Sequence, residues 1–433
     1  MFSANRFLFL TIGLSLFLYL IVVILSNNNV DTGVFIWQFF TLIAFLFSFK
    51  IARKIEGRGL YVYLFLYQVV LSFILHYFYK LYVGTPYGFN AVDSILYSQI
   101  AQQISDLNFK DSLRVIGSYF DDLSDYGFPL FIKYIYYITN GSQDSALKIL
   151  IFLNCFFQTM VCYLTYKIAL PMVGNDTSKL IVLLWGLNTA SIYVNASGLK
   201  EPLFLFLCMA SMYYIYLSKQ KKNLKNLFFT TLFILSTWLF RYYVTIFLAI
   251  IAFGYLQFST IYKKYFSLFC VIAIVLCLVL TDVLVNYMPE IYYSLRRTED
   301  TYSNAGGLFK YISYVLAFLS PIPKFTNMET PQMLIMIMYS IIKYFFSVFA
   351  IIGIYYMIKF KKTEFYPLIS IYLFHVLLLI VSGHTIEYRY SYVIMPCFFI
   401  LMIEGFKYQR KLITYMYLVF SIMIILFFNL KMY

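Results

Sequence analysis

Apolar runs long enough to cross a bilayer recur along the whole chain. A spanning helix needs about 20 predominantly apolar residues, and runs of that order lie near 7–26, 33–49, 60–82, 147–170, 178–195, 199–217, 226–240, 243–261, 265–285, 340–358, 365–382, 390–406 and 412–430. They predict an all-α, polytopic transmembrane helical bundle of about 13 spans, forming a single integral-membrane domain over residues 1–433. The first run is too long for a signal-peptide core and lacks an A-x-A cleavage site, so it is expected to stay as the first helix. Lys-rich stretches flank 226–261 on both sides, so the crossings between them must be even in number. That places a turn at Arg241-Tyr242-Tyr243.

Two connections, 83–146 and 286–339, are too long for simple links. The first holds an amphipathic segment, Ala91–Ile104, and an apolar stretch, PLFIKYIYYI, at 129–138. The second holds LFKYISYVLAFLSPIP at 308–323. Each is too short to span and is expected to form a helix at the membrane surface.

Composition narrows the class. The chain is 62% hydrophobic and 12% charged, whereas soluble domains run near 25% charged, which excludes a soluble enzyme. A net charge of +14 would suit nucleic acid only if the basic residues shared a solvated face. Instead they fall in short loops: Lys50/Arg53/Lys54/Arg58, Lys219/Lys221/Lys222/Lys225, Lys263/Lys264, Lys359/Lys361/Lys362 and Lys407/Arg410/Lys411. The positive-inside rule makes these loops cytoplasmic, with the N-terminus inside and both long loops outside. The basic excess is then an orientation signal, and no nucleic-acid partner is expected. All six cysteines sit inside apolar runs without CxxC spacing and read as small core residues. No Gly-rich phosphate loop or Walker lysine is present, so a transferred group should arrive already activated on a lipid.

Four outer segments hold the chemistry. Asp93 and Tyr97 are four apart and share a helix face; Asp93 is either a helix-start carboxylate favoured by the macrodipole or a functional acid. In Tyr119–Leu130, Asp121 and Asp122 are either part of a solvated turn or ligands for a divalent cation. Lys200-Glu201-Pro202 is ordinary helix-start chemistry, yet both charges lie at membrane depth and need partners. Gly383-His384-Thr-Ile-Glu387-Tyr-Arg389 sets His384 and Arg389 to meet phosphate oxygens, unless Glu387 and Arg389 simply pair. Arg241, Arg296, Arg297 and Lys343 also lie on the outer side and could face an anionic lipid headgroup. The triplets at Asn140, Asn175 and Asn195 match a glycosylation sequon, which is frequent by chance.

In order along the chain, these segments resemble the integral-membrane glycosyltransferases of the GT-C superfamily, in particular bacterial relatives of dolichyl-phosphate-mannose mannosyltransferases. The resemblance rests on Asp93 with Tyr97, Gly127-Phe128-Pro129-Leu130, Lys200-Glu201-Pro202-Leu203, Arg241, and Gly383-His384…Arg389-Tyr390…Pro396. The acidic loop follows the third span here rather than the first, and the family's Asp-Glu doublet is reduced to Asp93-Ser94. The resemblance implies a multi-pass protein of the bacterial inner membrane that uses a polyprenyl-phosphate- or pyrophosphate-linked sugar in cell-surface polysaccharide or glycolipid assembly, alongside other assembly proteins. It implies Asp93 as general base on the acceptor hydroxyl, with Glu201 as a second catalytic carboxylate. It implies that Arg389, His384, Arg241 or Lys200 would stabilise the departing phosphate; with Tyr97, Arg296, Arg297 and Glu387 these are the candidate substrate-binding residues. No cofactor is expected beyond the divalent cation that the residues Asp121 and Asp122 themselves suggest.

O-antigen and capsule repeat-unit polymerases are similar in their dozen aromatic-rich helices and arginine-bearing outer loops, and form the alternative. In such an enzyme the arginines should matter more than Asp93. A polysaccharide flippase is the third reading; it predicts internal repeats and mid-membrane charges, whereas no convincing repeat is found and most charges lie at helix ends.

Overall fold

The computed structural model describes residues 32–88, 91–120, 125–221, 223–257, 264–265, 337–381, 390–409 and 411–430. The expected spans at 7–26 and 265–285 and nearly all of the second long loop lie outside them. The described residues are helical with no strands. Four helices are long and apolar enough to cross a membrane: Arg58–Val83, Gln143–Val173, Glu201–Gln220 and Ile342–Lys359. The helices group into two compact units, one over Trp37–Gln257 and the other holding the described residues from 337 onward.

The first unit begins within α1 (Thr32–Ala52) and continues with α2 (Arg58–Phe78), the latter extended by a π turn over Tyr79–Val83. Three short helices follow, α3 (Ala91–Ile104), α4 (Phe109–Gly117) and α5 (Gly127–Ile138). Then come α6 (Gln143–Val173), α7 (Asn175–Gly186), α8 (Thr189–Ala196), α9 (Glu201–Gln220), α10 (Leu224–Ser236) and α11 (Tyr242–Leu256). α6 packs on α2, α7 and α9, and α9 also packs on α10 and α11. Many apolar side chains point outward, among them Val62, Leu66 and Val70 on α2, Phe152 and Phe156 on α6, and Ile246, Ile250 and Phe253 on α11. In water such a belt would drive association; it suits a lipid solvent.

Residues 178–195, expected as one span, form two helices. α7 ends at Gly186 and α8 restarts at Thr189, because the Asn188 side chain accepts the Ala190 N–H at 2.8 Å and caps a new helix. Backbone groups freed inside a membrane must find partners within the protein, and α2 supplies them. Gln68 Nε2 donates to the Gly186 carbonyl (2.6 Å) and the Tyr67 hydroxyl to that of Leu187 (3.3 Å). The seam continues as Asn195 Nδ2 donates to Gln68 Oε1 (2.9 Å), Gln158 Nε2 to Ser191 Oγ (2.8 Å) and Asn154 Nδ2 to the Leu199 carbonyl (3.1 Å). These bonds fix the turn between α8 and α9. Asn195 is fully buried, so its sequon is closed to a glycan in the folded chain.

The described residues of the first long loop form a cap of three short helices. The expected surface helix at 91–104 is α3, and the stretch at 129–138 lies in α5. α4 was not foreseen; Asn108 caps it by accepting the Asp111 N–H at 2.9 Å. Ile100, Ile104 and Ile116 form the core of the cap, with Leu96, Val115, Tyr126 and Leu130 packed around them. The buried Lys133 ammonium crosses from α5 to α4, donating to the Leu107 carbonyl and to Ser112 Oγ. Lys80 and Asp144 pair, joining the end of α2 to the start of α6.

The second unit holds α12 (Ile337–Lys359), α13 (Tyr366–Val381), α14 (Met395–Phe406) and α15 (Lys411–Leu430). α12 and α14 pack most intimately. Their approach requires glycine on both sides, since a Cβ on Gly405 would land on the Phe349 carbonyl and one on Gly353 would sit 3.0 Å from the Gly405 nitrogen. At the same end Glu404, 1% exposed, accepts from Lys407 at 2.5 Å and pairs with Lys362.

Candidate functional site

The site forms where the cap meets the starts of α9 and α11. α9 begins at Glu201 and leaves Lys200 in the turn outside the spanning helix. Ser94 Oγ donates to the Ser197 carbonyl at 2.7 Å, seating α3 on that turn and bringing Tyr97 to Lys200. From the other side, the Gly127 N–H donates to the Leu239 carbonyl at 2.8 Å. The approach is so close that a Cβ at Gly127 would stand 2.8 Å from both Leu239 Cβ and its carbonyl oxygen. Phe204 of α9 stacks on Phe240, with ring centroids 6.1 Å apart. These contacts hold Asp125 just before α5, and Arg241 at the start of α11, against the same turn.

The Lys200 ammonium donates to the Tyr97 hydroxyl (2.9 Å) and pairs with Asp125 Oδ1, which also accepts the Tyr97 O–H at 3.0 Å. The side chain of Lys200 is 10% exposed and that of Asp125 32%, so the ion pair is sheltered but reachable from one side. Phe128 packs edge-on against Tyr97 at 5.3 Å and fixes its ring. Burial pushes the Tyr97 phenol well above its ordinary range, and the carboxylates of Asp125, Asp93 and Glu201 push it further. Tyr97 therefore stays a neutral donor. Burial and the neighbouring Arg241 charge pull the Lys200 ammonium below its ordinary value, while Asp125 and Glu201 act against them. Arg241 Nη1 donates to the Tyr243 hydroxyl.

Of the residues expected from sequence, Asp93 and Glu201 bear electrostatically on Tyr97, and Glu201 and Arg241 on Lys200, which itself meets the Tyr97 hydroxyl. Asp121, Asp122, Arg296, Arg297, His384, Glu387 and Arg389 lie outside the described residues. Asp125 was missed as an individual: it reads as the last of three acids before an apolar helix, and only its pairing with a lysine 75 positions away sets it apart. No group of three His, Cys, Asp or Glu side chains suited to a metal occurs among the described residues.

The arrangement offers three carboxylates, two cations and a phenol where the cap meets the starts of α9 and α11. Such a set can hold an anionic group on the cations while a carboxylate takes a proton from a nearby hydroxyl. No family model, curated protein or solved structure matches the chain.

Proposed function

We propose that the protein is a membrane glycosyltransferase that uses a polyprenyl-phosphate- or pyrophosphate-linked sugar at the outer face of a bacterial inner membrane, in cell-surface polysaccharide or glycolipid assembly. The observation that supports this is the cluster of Lys200, Tyr97 and Asp125, with Asp93 and Glu201 acting on Tyr97 and Arg241 on Lys200. A displacement at the anomeric carbon needs a base for the acceptor hydroxyl and positive charge for the departing phosphate, and this arrangement offers both. Asp93 is the base; the acceptor oxygen forms the new bond to the anomeric carbon as the bond to the lipid phosphate breaks. Lys200 and Arg241 stabilise the charge that develops on the leaving phosphate, the kind of preorganised electrostatics that usually contributes most to catalysis. Asp125 positions Lys200, and Tyr97 donates toward the same region. Glu201 stands as the second carboxylate beside them.

The side assignment draws support from the pairings. Lys80 with Asp144, and Lys200 with Asp125, join groups expected outside; Lys362 and Lys407 with Glu404, and Lys179 with the Arg53 carbonyl, join groups expected inside. Each fits a bundle of about 13 crossings with the N-terminus inside. Membranes containing the protein, given a radiolabelled polyprenyl-phosphate sugar and the host's acceptor glycolipid, should transfer label, and deletion of the gene should remove the glycan. A surface glycan cut to a single repeat after deletion would replace this reading with that of a repeat-unit polymerase.

A further inference from the structure

Lys343 lies nearly two turns into α12, inside the span Ile342–Lys359, and is 2% exposed. Its neighbours Ile342, Tyr344, Phe345 and Phe346 are all buried. The other buried cations of the described residues are compensated: Lys133 donates to a carbonyl and a hydroxyl, and Lys200 pairs with Asp125. The buried acid Glu404 takes two lysines. Among the described residues, the Lys343 ammonium has neither an ion pair nor a hydrogen bond; only its backbone carbonyl is engaged, accepting from Ser347 Oγ at 2.5 Å.

Ionisable side chains within spans are rare and mark pathways or ligands. On the same face of α12, one turn to either side, stand Tyr339 and Ser347, both fully buried. The Tyr339 hydroxyl shares a 2.9 Å hydrogen bond with Ser391 Oγ. A buried ammonium inside a spanning helix suits an anion that brings its own apolar body. A free inorganic anion would have to shed its whole hydration shell to reach it. A lipid phosphate sits at the bilayer edge, within reach of the first turns of a spanning helix, with hydrocarbon attached. Lysine binds phosphate as a compact point charge.

We propose that Lys343 is an intramembrane binding residue for the phosphoryl group of a membrane lipid. This goes beyond the reading above: it concerns α12 alone and is tested by binding, without transfer.

The test is thermal unfolding of the full-length protein in detergent with farnesyl phosphate, farnesol or inorganic phosphate, for the wild type, K343M and K343R. Farnesyl phosphate should raise the wild-type Tm and farnesol should not. The apparent Kd for farnesyl phosphate should weaken about tenfold or more in K343M and be partly kept in K343R. Without ligand, K343M should unfold at the same or a higher temperature, because an apolar side chain of similar length replaces an uncompensated charge. The proposal is overturned if K343M retains the full farnesyl phosphate shift, if farnesol matches farnesyl phosphate, or if ligand-free K343M is less stable or fails to fold, which would mean that the protein itself compensates the charge. An equal Lys343-dependent shift with inorganic phosphate would overturn the lipid and leave free phosphate as the ligand. Lys343-dependent binding alongside absent transfer would instead count against the glycosyltransferase reading alone.

Discussion

The chemistry of the site turns on Lys200. Asp125 opposes the downward pull of burial and Arg241 on the ammonium; removing that carboxylate lowers the Lys200 pKa further, so the cation is lost at lower pH. In Asp125→Asn the alkaline limb of the pH–rate profile for transfer should therefore move to lower pH, whereas a merely structural role would lower the rate equally at every pH. Much of this site is legible in sequence. Asp93 and Tyr97 are one helical turn apart, and Lys200-Glu201 puts two charges at a helix start where each needs a partner. Asp125 is not legible, because an acid before an apolar helix is usually a solvated turn and its partner is remote in sequence. Lys343 is visible as a charge in an apolar run, but that it meets no partner among the described residues is a property of the packing.

At the scale of elements, the site depends on two dockings. The Gly127 N–H on the Leu239 carbonyl brings the start of α5 to the α10–α11 turn, and Gly127→Ala would force a Cβ into that contact. Overpacking of this kind costs about 1–3 kcal/mol, and the variant should show both a lower Tm and reduced transfer. Asn188→Ala removes the α8 cap and should cost about 1 kcal/mol, read as a lower midpoint of unfolding in detergent. Hydropathy located α2, α6 and α9 because their apolar runs are long. It joined α7 to α8 because Leu187 and Ala190 keep the run apolar while a single Asn188 side chain starts a new helix. α4 escaped notice for the opposite reason: it is a short, polar helix whose signal is the Asn108 and Asp111 cap rather than a periodic apolar face.

For the whole molecule, the alternating charge of the loops predicts the side of each helix end. In a cysteine-free background, Asp106→Cys in the cap should react with a membrane-impermeant maleimide in intact cells, and Glu56→Cys should react only after permeabilisation; the reverse pattern would invert the topology. With the cap outside, the Lys200 cluster would face the outer compartment, as the proposed transfer requires. The decisive measurement is the single-turnover rate of sugar transfer from a polyprenyl-phosphate donor in membranes containing wild-type protein or Asp93→Asn, with Asp106→Asn, an exposed acid of the same cap, as control. A positioned base contributes about 10²–10⁴-fold, so the account predicts a loss of that order in Asp93→Asn and an unchanged rate in Asp106→Asn. Full transfer by Asp93→Asn at wild-type protein levels would contradict it.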